Sequence, residues 1–198
     1  MNDKLYQERP ISFYAHYLDK FGNATGPFLD MGSGHGHILE LARQRGIEAC
    51  GVEYNTHRVN LSREKGLNVM QHDLCNPLPY PDAHFGMVYC GQVIEHVPPN
   101  GQQMIVNEAY RVLKPGGVFQ IRSPNRHNEQ SRKSKGHDYL LTMAELRNLL
   151  AAAGFRQMDF SINYPLPVPE IPKPILKLIW KLFKPDQITA SANAICIK

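Results

Sequence analysis

The sequence predicts a single α/β domain in which a mostly parallel sheet is covered by helices on both faces. Three observations lead to this prediction. Short apolar segments alternate with segments of helical periodicity across residues 27–123, the apolar segments lack a polar face, and a glycine-rich turn joins the first of them to a helix. Strands that are apolar on both faces are typical of parallel sheets covered by crossover helices. A chain of 198 residues suits one such domain.

The predicted strands are short apolar runs bounded by turn residues. They are PFLDM (27–31), EACGVEY (48–54), LNVMQHD (67–73), FGMVYCG (85–91), VFQIRS (118–123) and the alternating segment ITASANAICIK (188–198).

The predicted helices combine a spacing of three or four between apolar residues with recognisable ends. They are ISFYAHYLDKFG (11–22), HILELARQRG (37–46), NTHRVNLSREKG (55–66), GQQMIVNEAYRVLKPGG (101–117) and TMAELRNLLAAAGF (142–155). Asn55 and Thr142 are expected N-caps, and Gly46, Gly66 and Gly154 are expected just past helix ends. Pro115, followed by two glycines, is expected to stop the fourth helix.

Composition indicates an ordinary globular protein, with 42% hydrophobic and 20% charged residues. The polar start predicts no secretory signal, and no apolar run reaches the roughly 20 residues that span a bilayer. The four cysteines show no CxxC spacing, so reduced thiols are expected. We therefore expect a cytoplasmic protein. Residues 1–121 carry a net charge of −2 and residues 122–198 a net +6, so an acidic partner would be met by the C-terminal part.

The stretch FLDMGSGHGHI, residues 28–38, predicts a ligand site at the carboxyl edge of the sheet. Gly32, Gly34 and Gly36 allow a ligand to lie against the main chain. The spacing differs from the G-x-G-x-x-G pattern of dinucleotide-binding turns, because His37 occupies the place of the last glycine. Asp30 would repel a diphosphate. A cationic ligand suits the turn better.

These residues resemble a known family. LDMGSGHGH is similar to the D/E-x-G-x-G-x-G signature of class I S-adenosylmethionine-dependent methyltransferases. The segments NPLPYPDAHFGMVYCGQVIEHV and EAYRVLKPGGVF look like two further motifs of the family's ubiquinone/menaquinone-biosynthesis-like (type 11) branch. The resemblance covers residues 25–123 and implies a Rossmann-like, seven-stranded, doubly wound sheet that binds S-adenosylmethionine.

The resemblance also implies which residues contact this cofactor. The glycine turn and Asp30 would face its methionine part, Glu53 its ribose hydroxyls, and Tyr54 and Asp73 its adenine. The full expected set is Asp30, Gly32, Ser33, Gly34, Gly36, Glu53, Tyr54, Asp73, Leu74 and Gln92. Two positions depart from the family pattern: Gly86 replaces an aspartate, and His35 is bulkier than the usual residue. Neither removes an expected ligand contact.

The same resemblance also implies the domain layout. Residues 1–24 would form an N-terminal cap helix, residues 25–123 the cofactor-binding core, and residues 124–198 an acceptor-side segment that ends in a strand. Phe13, Tyr14 and Tyr17 are expected in the cap over the site.

Methyl transfer from a sulfonium needs alignment above all, and a general base only where the acceptor must lose a proton. His96 is the best-placed base, just past the fourth strand, although a structural histidine before Pro98 is an equally good interpretation. His127, His137 and Tyr139 are weaker candidates. The histidines form no obvious ligand set, and no metal is expected.

The acceptor is expected to be a small molecule, a glycan or a lipid-linked compound, methylated at oxygen. After the fourth strand the chain has GQVIEH, which differs from the Asn/Asp-Pro-Pro-Tyr/Phe motif of nucleic-acid amino-methyltransferases. The basic stretch 122–139 lacks interleaved aromatics for base stacking. Residues 174–184 predict an amphipathic helix with three lysines, either a lid or a helix that contacts an anionic membrane surface.

Three alternatives stay open at this point. The basic C-terminal part is compatible with an RNA or protein methyltransferase. A domain that binds S-adenosylmethionine without catalysis would keep the same motifs. An NAD-dependent oxidoreductase is disfavoured by Asp30 and by the glycine spacing.

Overall fold

The computed structural model describes residues 14–162 and 191–198. The strands are β1 (Phe28–Met31), β2 (Ala49–Glu53), β3 (Val69–Gln71), β4 (Phe85–Gly91), β5 (Leu113–Pro124), β6 (Gln157–Ile162) and β7 (Ser191–Ile197). The helices are α1 (Ala15–Asp19), α2 (His37–Gln44), α3 (Thr56–Glu64), α4 (Pro99–Val112), α5 (Glu129–Lys133) and α6 (Met143–Ala153), with a 3-10 turn at Ile94–His96.

The seven strands form one sheet in the order β3-β2-β1-β4-β5-β7-β6. Strands β1 to β5 are parallel, and β7 runs antiparallel between β5 and β6. The prediction of a mostly parallel, seven-stranded, Rossmann-like sheet is therefore confirmed. The chain leaves β1 towards β2 and β3 and then crosses back to β4 on the other side. A crevice opens at the carboxyl ends of the strands where the order reverses in this way.

Two hydrophobic clusters cover the two faces of the sheet. Because side chains alternate along a strand, Leu29 and Met31 of β1 join the cluster under α4 and α6, while Phe28 joins the cluster under α1, α2 and α3. In β4, Val88 faces the first cluster and Met87 the second. These strands are apolar on both faces in the sequence because each face packs against one of the two clusters.

Several predicted ends are confirmed by their hydrogen bonds. The Asn55 side chain accepts from the backbone N–H of Arg58, as expected of the N-cap of α3. Thr142 and Glu145 form a reciprocal capping box at the start of α6, and Gly154 ends that helix with a φ of 116°.

The boundary between α4 and β5 differs from the prediction. Helix α4 ends at Val112, before Pro115, and β5 already begins at Leu113. Leu113 pairs with Phe85, the register then shifts, and Val118 pairs with Met87. The strand therefore continues through the proline and glycines as an irregular stretch, because pairing with β4 fixes both of its ends. Sequence patterns also did not identify α5 or β6.

Gly86 packs against the loop that precedes β1. Its backbone N–H donates to the carbonyl of Pro27 at 3.0 Å, and a Cβ at this position would lie 1.8 Å from the carbonyl oxygen of Thr25. No side chain fits there without moving the backbone. Glycine in place of the family's aspartate thus allows close packing against the loop before β1.

Two predictions fall outside the described residues: the amphipathic helix of residues 174–184, and the part of the N-terminal cap that includes Phe13. Among the helices of residues 14–162 and 191–198, none has the length and apolar character needed to cross a bilayer.

Candidate functional site

A cavity of about 650 Å³ opens at the carboxyl ends of β1, β2 and β4, where the strand order reverses. Nine of the ten residues expected to contact the cofactor line it, as does His96. Sequence reasoning did not assign several further lining residues to the cofactor: His37, Ile38, Arg58, Cys75, Tyr89, Gly91, Val93, Val97, Pro98 and Arg122. No pattern marked them, because they reach the cavity from several different strands, helices and loops.

The first two glycines of the turn have different roles. Gly32 has a φ of 80°, and a Cβ on it would lie 2.3 Å from Cγ2 of Val93. Gly34 has a φ of 55°, and a Cβ on it would meet no atom within 4 Å. Gly32 thus permits close packing of the turn on the β4 loop. Gly34 leaves bare backbone at the cavity wall.

Gly36 is the expected contact residue that does not line the cavity. It precedes α2 with a φ of 77°, and a Cβ on it would lie 2.5 Å from Cδ1 of Leu67 and 3.1 Å from Oγ of Ser62. Its neighbours are therefore α3 and the residues that follow it. The geometry gives Gly36 a packing role between the turn and α3.

Glu53, the last residue of β2, is held by two backbone amides. Its Oε2 accepts from the N–H of Gly34 at 2.9 Å, and its Oε1 accepts from the N–H of Asn55 at 2.8 Å. The residue is only 7% exposed. These bonds fix the carboxylate beside the bare backbone of Gly34, with acceptor capacity left for two hydroxyl groups of a ligand.

Asp30 lies on β1 at the base of the cavity and is buried. Burial, and to a lesser extent the charge of Glu53, raises the pKa of Asp30 to about 8. Two carboxylates close together in a buried site disfavour a diphosphate and favour a ligand that carries positive charge.

Tyr54 and Asp73 also line the cavity, and they offer an aromatic ring face and a carboxylate acceptor. Tyr54 follows β2 and is 72% exposed, which is unusual for an aromatic ring. The Oδ1 atom of Asp73 accepts from the N–H of Cys75 at 2.9 Å, and this bond fixes the side chain in the loop after β3. Leu74 is buried beside them. An aromatic base could stack on the ring and donate an amino hydrogen to the carboxylate.

Gln92 follows β4 in the left-handed region, with a φ of 59°. Its N–H donates to the carbonyl of Arg122 at 2.9 Å, so the end of β5 fixes this conformation. A non-glycine residue in this region is uncommon, and such residues cluster at functional sites.

Two aromatic residues of the predicted cap line the same cavity, Tyr14 and Tyr17. The Arg122 guanidinium donates to the hydroxyl oxygen of Tyr17 and lies over its ring, 5.3 Å from the centroid. Helix α1 is thereby tied to the end of β5. This contact closes one wall of the cavity.

His96 borders the cavity at the 3-10 turn after β4. Its Nδ1 lies 2.6 Å from the carbonyl oxygen of Gly136, so Nδ1 carries the proton and Nε2 has the free lone pair. The other candidate bases do not line this cavity. His127 is exposed, and His137 and Tyr139 line a second cavity of about 770 Å³ beside α6.

Comparisons with known proteins identify relatives of this chain. A family model described as "Methyltransferase domain" (type 11) matches residues 29–121. A Mycolicibacterium smegmatis protein named "Probable S-adenosylmethionine-dependent methyltransferase" is 35% identical over 136 residues, covering 66% of this chain and 52% of that protein. The "Ubiquinone biosynthesis O-methyltransferase" of Psychrobacter arcticus is 27% identical over 166 residues, covering 71% and 63%.

A third relative is the "tRNA N(3)-cytidine methyltransferase" of Gallus gallus, 27% identical over 188 residues, covering 80% of this chain and 51% of that protein. The chain thus spans about half the length of two of these relatives. Among solved structures, an S-adenosylmethionine-dependent methyltransferase from Archaeoglobus fulgidus has the same fold, with a TM-score of 0.75 and 20% identity, covering 100% of this chain and 95% of that one.

The fold and the cavity together define a Rossmann-like methyltransferase domain. Residues 29–121 belong to the type 11 family of class I S-adenosylmethionine-dependent methyltransferases. The cofactor of this family is S-adenosylmethionine, and the residues present fit it. The bare backbone of Gly34, the fixed carboxylate of Glu53 and the buried Asp30 suit a ligand with ribose hydroxyls and a positive charge.

Proposed function

We propose that this chain catalyses methyl transfer from S-adenosylmethionine to an oxygen atom of a small-molecule, glycan or lipid-linked acceptor. The observation that carries the proposal is the pair of buried carboxylates, Asp30 and Glu53, on either side of a glycine turn at the point where the strand order reverses. Asp30 would face the positively charged methionine part, Glu53 the ribose, and Tyr54 and Asp73 the adenine.

When bound, the cofactor supplies a methyl group on a sulfonium sulfur. The thioether that forms on transfer leaves without needing a proton. The protein's main task is then to hold the acceptor oxygen in line with that methyl group, which can supply about 7–11 kcal/mol of the barrier. His96 is the candidate for the general base. His96 lines the cavity, and its Nε2, which has the lone pair, would take the proton of an acceptor hydroxyl.

The cofactor assignment is tested by calorimetry with S-adenosylhomocysteine, with NADH as the negative control. We expect saturable binding of the former only, and a large loss of affinity in Glu53→Ala. A folded protein that binds neither ligand would overturn the proposal. The base is tested separately: once an acceptor is found, His96→Ala with unchanged turnover would show that His96 only supports the loop.

A nucleic-acid acceptor is the second candidate function. It is favoured by the tRNA-modifying relative, which matches 80% of this chain, and by the net charge of +6 in residues 122–198. RNA binding that weakens steeply with salt would favour it over a small acceptor. A domain that binds the cofactor without catalysis would bind S-adenosylhomocysteine but transfer no methyl group to any acceptor class tested.

A further inference from the structure

Glu95, His96 and His137 converge on one point next to the cofactor cavity. One ligand atom from each of these residues lies within 4.8 Å of the other two, and His96 Nε2 is 4.0 Å from Glu95 Oε1. Glu95 and His96 belong to the 3-10 turn after β4, and His137 to the segment between α5 and α6. The cluster therefore joins the core of the domain to the segment that follows β5.

Both imidazoles have Nδ1 within hydrogen-bond distance of a backbone carbonyl. Nδ1 of His96 lies 2.6 Å from the carbonyl oxygen of Gly136, and Nδ1 of His137 lies 3.1 Å from that of Ser131. A carbonyl oxygen can only accept, so each Nδ1 carries a proton and each Nε2 has the lone pair. Metal-binding histidines are usually oriented in this way, with the nitrogen that does not bind the metal donating to a carbonyl or carboxylate.

Glu95 supplies an independent observation that points to a ligand. Its side chain is fully buried, and its Oε1 has no hydrogen-bond partner among the described residues. The other oxygen, Oε2, accepts from the hydroxyl of Ser123 at 3.3 Å. A buried carboxylate oxygen without a partner is costly unless a cation or a donor compensates it.

We propose that Glu95, His96 and His137 bind a divalent transition-metal ion, with Zn²⁺ as its representative. Two imidazoles and one carboxylate are the ligands that catalytic Zn²⁺ and related ions use when one position stays open. Ligand atoms about 2.0–2.1 Å from a tetrahedral Zn²⁺ lie about 3.3 Å from one another. The side chains would have to close by about 1 Å around the ion.

The position of the cluster suggests what the ion would do. His96 lines the cofactor cavity and His137 lines the second cavity, so an open coordination position would lie between the two. If the proposed methyl transfer holds, an acceptor hydroxyl bound there has a lowered pKa and loses its proton to solvent. Nε2 of His96 is then a metal ligand, and no protein base is needed.

Metal binding can be measured without an acceptor. The protein is freed of metal with a chelator, and its binding of ZnCl₂, MnCl₂ and MgCl₂ is followed by calorimetry and equilibrium dialysis. We expect one equivalent of Zn²⁺ or Mn²⁺ to bind more tightly than Mg²⁺, and about tenfold or greater loss of affinity in His137→Gln. The control is His127→Gln, an exposed histidine between β5 and α5, which should bind like the wild type.

Glu95→Gln distinguishes a ligand from a structural residue. It keeps the shape of the side chain but removes the charge, so we expect lost metal binding together with an unchanged or higher Tm. Absence of stoichiometric binding by the wild type, a preference for Mg²⁺, or wild-type affinity in His137→Gln would each overturn the metal site. S-adenosylhomocysteine binding is measured in the same samples, so a failed metal site with normal cofactor binding leaves the proposed function intact.

Discussion

Replacing Asp30 by asparagine should stabilise the folded protein while weakening its binding of a cationic cofactor. Burial and the neighbouring Glu53 raise the pKa of Asp30 from 3.8 to about 8. An acid with a higher pKa in the folded state favours folding where it is protonated. This contribution is complete below about pH 3.8 and is lost as the pH rises to about 8. Asparagine has nearly the same shape but does not ionise, so its contribution to stability does not change with pH.

The size of the effect follows from the two pKa values. Each pH unit between 3.8 and about 8 changes the free energy of unfolding by about 1.36 kcal/mol. The free energy of unfolding of the asparagine variant, relative to that of the wild type, should therefore be up to about 4 kcal/mol higher at pH 7 than under strongly acidic conditions. Between pH 5 and pH 7 its advantage should grow by about 2.7 kcal/mol.

Urea unfolding at pH 5, 6 and 7 measures this difference directly. The control is Asp159→Asn, which changes an exposed aspartate on β6 and should show no comparable trend. Calorimetry then tests the ligand. The wild type should release a proton when it binds S-adenosylmethionine at pH 7, seen as a binding enthalpy that depends on the buffer, and Asp30→Asn should not. A stability difference that stays flat from pH 5 to 7 would refute the reasoning.

Three further predictions concern the same cavity. Glu53→Gln should weaken S-adenosylhomocysteine binding by roughly tenfold to a hundredfold, the loss expected for one charge-assisted hydrogen bond, and an unchanged Kd would remove this residue from the ribose site. Gly34→Ala should reduce affinity and lower Tm only through the strain of its φ of 55°, whereas Gly36→Ala should leave affinity unchanged and lower Tm further, because its φ is 77° and its Cβ would also meet Leu67; the opposite pattern would contradict the assigned roles. Tyr54→Ala should raise Kd by roughly two- to tenfold without changing Tm, since the ring is exposed; full affinity would exclude stacking.

The central part of the fold and of the cavity could be predicted from the sequence because local signals agree there. Strands β1 and β4 are short, apolar and bounded by turn residues, and crossover connections force them to be parallel. The carboxyl ends of such strands meet at one edge of the sheet. Asp30, Glu53 and Asp73 are therefore brought together, although they are far apart in the sequence.

The remaining features depend on contacts that no local pattern encodes. The early start of β5 at Leu113 is set by its pairing with Phe85, against the turn signal of the proline and glycines. The cluster of Glu95, His96 and His137 joins two histidines 41 residues apart, through a segment without regular periodicity. His96, just past β4, was the one available signal, and alone it suggested a base.

The placement of β7 has a consequence for the order in which the sheet can assemble. This strand pairs with β5 on one side and with β6 on the other. In the described part of the chain, β6 has no other strand partner. During synthesis the parallel strands can therefore pair as they emerge, while β6 must wait until residues 191–197 have left the ribosome. The nascent chain would then expose the edge of β5 to pairing with other chains until β7 covers it.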